Sequence, residues 1–231
     1  MRTFWKTMND IYEKTMLVIF VVALLIVVYA FYDTWYVFDH ASDKSYLAYK
    51  PNKVNAGSIA AESPITEDMV AWITMDDTNI DYPIMQGIDN TVYLNLDPYG
   101  NYSLAGSIFL DSRNAADFTD PYSIIYGHHM EYGVMFGALD DYLDEAYLNS
   151  HKHGELLIGR TGSKSYDLDV FYAVLVDAKD EYVFDPDKYE ELYTFLEAQE
   201  VDTSKKILCL STCAGDASTT RTVVFAYIIE N

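Results

Sequence analysis

The chain has 231 residues, half of them hydrophobic and 15% aromatic, with 21 Tyr; that is enough material for a packed core and excludes wholesale disorder. Its 36 Asp and Glu against 15 Lys and Arg give a formal charge of -21, which excludes a partner bound by phosphate neutralisation, DNA or RNA. Two Cys are too few for a disulfide-stapled module or a Cys-rich zinc domain.

The first feature along the chain is apolar. Met16 to Tyr32 reads MLVIFVVALLIVVYAFY, 17 residues without a charge. As a helix rising about 1.5 Å per residue it spans about 25 Å, near the lower limit for a bilayer crossing. Tyr12 precedes it and Trp35 and Tyr36 follow it, where interfacial aromatics sit. Arg2, Lys6 and Lys14 lie before it, and no further base occurs until Lys44. The positive-inside rule therefore assigns residues 1–15 to the cytoplasm, 16–32 to a single membrane span and the rest to the outside of the cell membrane. The competing reading is a cleaved signal peptide. Ala30 offers a small residue, but Val28 and the bulky Tyr29, Phe31 and Tyr32 make a poor cleavage site, so an uncleaved anchor is expected. The first 32 residues hold three bases and two acids, so the negative excess lies wholly in the exported part, where it reads as a solvated surface.

Residues 33–62 read as a juxtamembrane stalk with one short helix, and residues 63–231 as the folded domain. Ser63-Pro64 marks a helix start or a turn into that domain. Strand-like runs then dominate: WITM (72–75) and NIDYPIM (79–85) about a turn at Asp76-Asp77, then SIFL (107–110), SIIYG (123–127), ELLIG (155–159), SYDLDVFYAVLVD (165–177), KILCLS (206–211) and RTVVFAYII (221–229). About eight β-rich segments predict a mainly β fold, a closed barrel or a sandwich rather than a βαβ array. Two stretches predict helices. One is 135–148; the other is 185–200, where Tyr189, Leu192, Tyr193 and Leu196 form an apolar stripe behind Asp185 as N-cap and Pro186 at the first position.

Three residues suggest chemistry. His128 ends the run IIYGHHM, Cys213 follows LCLST, and Arg221 opens the last strand. A thiolate can attack a carbonyl, an imidazole can move the proton, and a guanidinium can hold an oxyanion. On residue types alone the alternatives stay open: an inert buried thiol, a packed His, an Arg on a wet edge.

The ordered set WITMDDTNIDYPIMQ (72–86), NTVYLNLD (90–97), AGSIFLDSRN (105–114), IIYGHHMEYGVMFGAL (124–139), LSTC (210–213) and Arg221 resembles the sortases, most closely class B, and the helix at 185–200 matches the helix that class B members insert there. The resemblance covers about residues 71–229. It implies an eight-stranded β-barrel with a few helices and a Gram-positive surface transpeptidase. Such an enzyme cuts a C-terminal sorting motif (N-P-x-T-x or L-P-x-T-G-like) after its Thr, holds a thioester, and passes the acyl group to a cell-wall peptide or pilin Lys amine. Its partners would be sorting-motif-bearing surface proteins or pilins. It implies Cys213 as nucleophile, His128 as acid/base and Arg221 as oxyanion or substrate-positioning group. It also implies substrate contacts from Ser211, Tyr126, Asn90 and Leu94, and no cofactor or metal. His128 is preferred to His129 because the family motif has His directly after Gly. This chain departs from the family at Cys209, often Thr, and at Ala214, where some class B enzymes carry an acid. The eight-residue step from Cys213 to Arg221 is short, with Gly215 and Ser218 available for a tight loop.

Other clusters read more simply. Cys209, about 13 Å from Cys213 along a strand, is out of disulfide reach and suits the core. His151, His153 and Glu155 lack a full metal-ligand set, and Asp140, Asp141, Asp144, Asp185 and Asp187 suit caps and solvated faces better than calcium. Rival functions are a surface Cys hydrolase and a non-catalytic β-barrel module.

Overall fold

The computed structural model describes residues 2–51, 63–198, 201–213 and 219–230, with His40 and Cys213 described by backbone alone. The chain divides into two compact units, Met1–His40 and Ala41–Asn231.

The first unit is helical. Helix α1 (Arg2–Ser42) overruns the apolar run at both ends because neither flank holds a Gly or Pro to stop it. Its apolar side chains from Phe4 to Tyr36 are exposed, and the helix is long and apolar enough to cross a membrane.

The second unit opens differently from the expected stalk. Ser45–Tyr49 forms a 3₁₀ turn, and Tyr46 is buried against Trp72 and Tyr82, at 5.9 and 5.7 Å between ring centroids. Lys50 donates to Asp81 at 2.8 Å and Trp72 Nε1 donates to the same oxygen at 2.6 Å. This segment therefore packs as part of the barrel unit, because two aromatic partners compensate for ordering it. The rest of the expected stalk, 52–62, lies outside the described residues.

Eight strands follow: β1 (Met69–Met75), β2 (Asp81–Met85), β3 (Ile108–Leu110), β4 (Tyr122–His128), β5 (His153–Ile158), β6 (Lys164–Asp177), β7 (Lys206–Cys213) and β8 (Thr220–Glu230). They close into a barrel in the order β1-β2-β3-β4-β7-β8-β6-β5. The β2–β3 and β4–β7 pairs are parallel and the others antiparallel. Ser63-Pro64 is irregular chain rather than a helix, with a turn following at Glu67-Asp68, and β1 turns back into β2 at Asp76-Asp77, with Asp77 at φ 59°. The closed barrel, one of the two architectures the strand count allowed, leaves no open sheet edge.

Among the described residues, three α-helices complete the unit: α2 (Glu145–Ser150), α3 (Glu181–Phe184) and α4 (Tyr189–Glu197). The single helix expected over 135–148 is instead a 3₁₀ helix, Phe136–Leu143, broken from α2 at Asp144. The Asp144 carboxylate accepts from the Ala146 and Tyr147 amides, so capping fixes a new start there. Asp185 does cap the segment at 185–200, accepting from the Asp187 amide, with Pro186 next; a 3₁₀ turn precedes α4.

Strand alternation sorts the core into two bodies. Ile125, Leu208, Leu210, Val224 and Ala226 join the cluster to which all eight strands contribute, the barrel lumen. Their neighbours Tyr122, Ile124, Ile207, Cys209, Val223 and Phe225 form a second cluster outside it, roofed by Val183, Leu192 and Leu196 of α3 and α4. Cys209 belongs to this outer core: it is fully buried, and burial pushes its thiol up to about 12.

Candidate active site

The three chemistry-bearing residues stand on consecutive strands of the barrel. In the parallel β4–β7 pair His128 is the register partner of Cys213. In the antiparallel β7–β8 pair Ser211 faces Val223, and continuing that register by two residues sets Arg221 opposite Cys213. By alternation, His128 has the parity of Tyr122 and Ile124, Cys213 that of Ile207 and Cys209, and Arg221 that of Val223 and Phe225. All three positions thus belong to the outer face, at one rim. His129, next to His128, has the opposite parity. The Cys213 side chain and the loop 214–218, with Ala214, Gly215 and Ser218, lie outside the described residues.

Gly127 explains how β4 delivers His128. A Cβ there would lie 2.4 Å from Ile108 Cδ1 and 2.7 Å from the Phe136 ring, so the strand passes this point only as glycine. His128 is half-buried, and burial lowers its pKa below the usual imidazole value, opposed by the Leu94 carbonyl. Among the described side chains, its buried Nδ1 has no hydrogen-bond partner.

A cleft of about 350 Å³ adjoins the rim. It is lined by Asn90, Leu94, Tyr126, Ser211 and Arg221, so five of the seven residues singled out from the sequence come together in one depression. Phe109, Thr212, Ala178 and Phe184 complete its walls, and the sequence reading named none of these four. Ser211 is buried and its hydroxyl donates to the Thr212 carbonyl at 3.2 Å. Arg221 donates from Nη1 to the Thr220 carbonyl at 3.2 Å. Tyr126 stacks obliquely on Phe109, and burial followed by the nearby Asp111 charge pushes its phenol well above the usual value.

Behind the rim, on the lumen-side parity, a second set of bonds ties the strand ends together. The Thr222 amide donates to Thr212 Oγ1 at 3.1 Å, the Thr222 hydroxyl donates to Asp140 at 2.5 Å, and Asp140 meets His129 Nε2 at 2.7 Å. His129 therefore anchors the end of β4, while His128, of opposite parity, belongs to the outer face. Asp185 and His151 also have local partners. Asp185 receives Arg113 Nη1 at 2.8 Å, and the His151 ring stacks on Tyr147 at 3.8 Å. Among the described residues, no three His, Cys, Asp or Glu side chains gather as a metal site.

A closed barrel with Cys213 paired in register with His128, beside a cleft that Arg221 lines, is the layout of a β-barrel cysteine acyltransferase. The sortase-domain family model matches residues 73–229. Sortase B of Listeria monocytogenes is 37% identical over 161 residues, 64% of this chain and 64% of that protein. Sortase B of Staphylococcus aureus is 35% identical over 179 residues, 72% of each. The structure of the Staphylococcus aureus sortase B–substrate complex is similar at a TM-score of 0.63 and 34% identity, covering 72% of this chain and 82% of that one. The chain belongs to the sortase family of cysteine transpeptidases, among its class B members.

Proposed function

We propose that this chain is a membrane-anchored class B sortase that cleaves an N-P-x-T-x or L-P-x-T-G-like motif after its Thr and transfers the acyl fragment to an amine. The observation that carries this reading is the register pairing of His128 with Cys213 on β4 and β7, beside a cleft lined by Arg221, Ser211, Tyr126, Asn90 and Leu94. In the proposed reaction the Cys213 thiolate adds to the Thr carbonyl carbon. Arg221 stabilises the oxyanion, and imidazolium at His128 gives its proton to the leaving amine as the C–N bond breaks. The thioester then meets the acceptor amine, whose proton returns to His128. Burial favours the neutral imidazole, which supports a resting pair of thiol and imidazole that ionises in a minority of molecules. Ser211, Tyr126, Asn90 and Leu94 contact the motif in this reading. The acceptor is a cell-wall peptide amine or a pilin Lys. Helix α1 anchors the enzyme in the cell membrane as a single pass, with residues 1–15 in the cytoplasm and the barrel outside.

The test is mass spectrometry of the full-length chain in detergent, incubated with candidate motif peptides, with and without an amine acceptor. An acyl adduct on Cys213 and an amine-linked product are expected. Release of free acid alone, even with amine present, would identify a hydrolase, and no adduct with any sorting-type peptide would sink the assignment.

A further inference from the structure

Asn90 and Tyr126 line the cleft, yet both turn a polar group away from it toward one carboxylate. Asn90 Nδ2 donates to Asp111 Oδ2 at 2.8 Å, and the Tyr126 hydroxyl donates to the same oxygen at 3.0 Å. Asp111 has no exposed surface. Its other donors come from Arg113: the backbone amide at 3.0 Å and Nε at 2.9 Å to Oδ1, and Nη2 at 2.9 Å to Oδ2. Five donors on two oxygens satisfy a buried charge that would otherwise be too costly to keep. Asn90 Oδ1 also accepts from the Ser112 amide at 2.7 Å, so both ends of its amide are fixed by the β3–β4 connection.

The same guanidinium reaches across the cleft. Arg113 Nη1 donates to Asp185 at 2.8 Å and Nη2 donates to the Phe184 carbonyl at 2.9 Å. Phe184 ends α3 and stands in the cleft wall. One planar fork thus joins the floor, Asn90 and Tyr126, to the wall carried by the β6–β7 connection. Lysine, a point charge on a flexible stem, cannot hold the two sides at once. The Asp111–Arg113 pair takes no part in the reaction drawn above.

We propose that Asp111 and Arg113 are positioning residues that set the width and polar lining of the sorting-peptide cleft, so that they govern peptide binding rather than bond breaking. The proposal rests on the function assigned above and deepens it. The buried carboxylate holds Asn90 with one amide hydrogen and one lone pair left for a peptide, and holds Tyr126 with its ring toward the peptide. The guanidinium fixes how far Phe184 stands from both.

The test uses the full-length chain in detergent and the variants Arg113→Gln, Arg113→Lys and Asp111→Asn. Hydrogen exchange of the amides in 178–186 should quicken by about tenfold or more in Arg113→Gln, while the amides of β7 keep the parent rate. For a peptide that the parent cleaves, KM should rise by about tenfold with kcat within about threefold, and Arg113→Lys should not restore it. Alkylation of Cys213 by a small thiol reagent should keep the parent rate in all three variants. Unchanged exchange at 178–186, equal quickening in β7, or a fall in kcat at constant KM would each overturn the proposal, as would full recovery by Arg113→Lys. If the parent chain cleaves no sorting peptide, the functional assignment fails, while the exchange experiment still decides whether the fork holds the wall.

Discussion

His128 and Cys213 are direct register partners on the parallel strands β4 and β7. Hydrogen-bonded neighbours lie about 4.8 Å apart, so the two positions share a face on adjacent strands. Replacing the imidazole should therefore remove the proton route and leave peptide binding intact. His128→Asn should lower kcat by about 10²–10⁴ with little change in KM, and Cys213→Ala should give no acyl adduct. Steady-state kinetics and intact-protein mass measurement check both; a His128→Asn enzyme near parent activity would remove the imidazole from the mechanism.

Arg221 stands one strand further on, at the start of β8, and lines the cleft beside Ser211 and Thr212. Loss of one oxyanion donor costs about 10²–10³ in rate, and Arg221→Ala should show that loss in kcat. Arg221→Lys keeps the charge and loses the fork, so it should stay well below the parent. Recovery to parent level by Lys would show that charge alone suffices.

The protonation of His128 is open to NMR. Burial lowers its folded pKa, so its titration midpoint should fall below the ordinary value of about 6.5. The sign for stability follows from that direction. The neutral form is preferred on folding, so the His128 contribution is present above about pH 6.5 and is lost as the pH falls below it, where the unfolded chain takes up the proton first. A midpoint at or above 6.5 would contradict the burial argument.

Asp111 titrates in the other window. Burial raises its pKa, but hydrogen bonds from the Arg113 side chain and backbone and from Asn90 outweigh that and hold it below the usual carboxylate value. The ion network therefore contributes fully above about pH 3.9 and is lost as the pH falls through the lower folded value. Asp111→Asn should reduce the Tm near neutral pH, and the gap from the parent should narrow in strong acid. A gap independent of pH would mean that shape rather than charge is what Asp111 supplies.

Gly127→Ala tests the delivery of His128. The added methyl meets Ile108 and Phe136 at distances that force one of them to shift. Overpacking of this kind costs about 1–3 kcal/mol, and thermal denaturation should register a lowered Tm. Because Gly127 precedes His128, a loss of kcat beyond the loss of folded fraction is expected as well.

The strands were legible because Val, Ile, Tyr and Phe alternate in runs bounded by turn residues, and the long β6 and β8 left little room for another assignment. The choice of barrel over sandwich was not legible from alternation, since closure depends on β1 pairing with β5, far along the chain. The stretch 135–148 misled because its apolar spacing suits a helix, whereas Asp144 captures two amides and restarts the turn. The burial of Tyr46 was not legible for a related reason: the local run SYLAY gives no sign of the distant Trp72 and Tyr82 rings that cover it. At the site, Cys213, His128 and Arg221 were visible as residue types in a motif order. Asp111 and Arg113 were overlooked within AGSIFLDSRN, although an acid and an arginine two apart at a strand end were the available signal.

The parallel β4–β7 contact also bears on timing during folding. A chain emerging N-terminus first exposes His128 early, but the imidazole has no sulfur beside it until residues 129–205 have followed and β7 has found its place. Arg221 comes later still, at the start of the final strand. Contacts of such long sequence separation form late in folding. Nascent molecules thus lack the paired His128 and Cys213 positions until the barrel has closed.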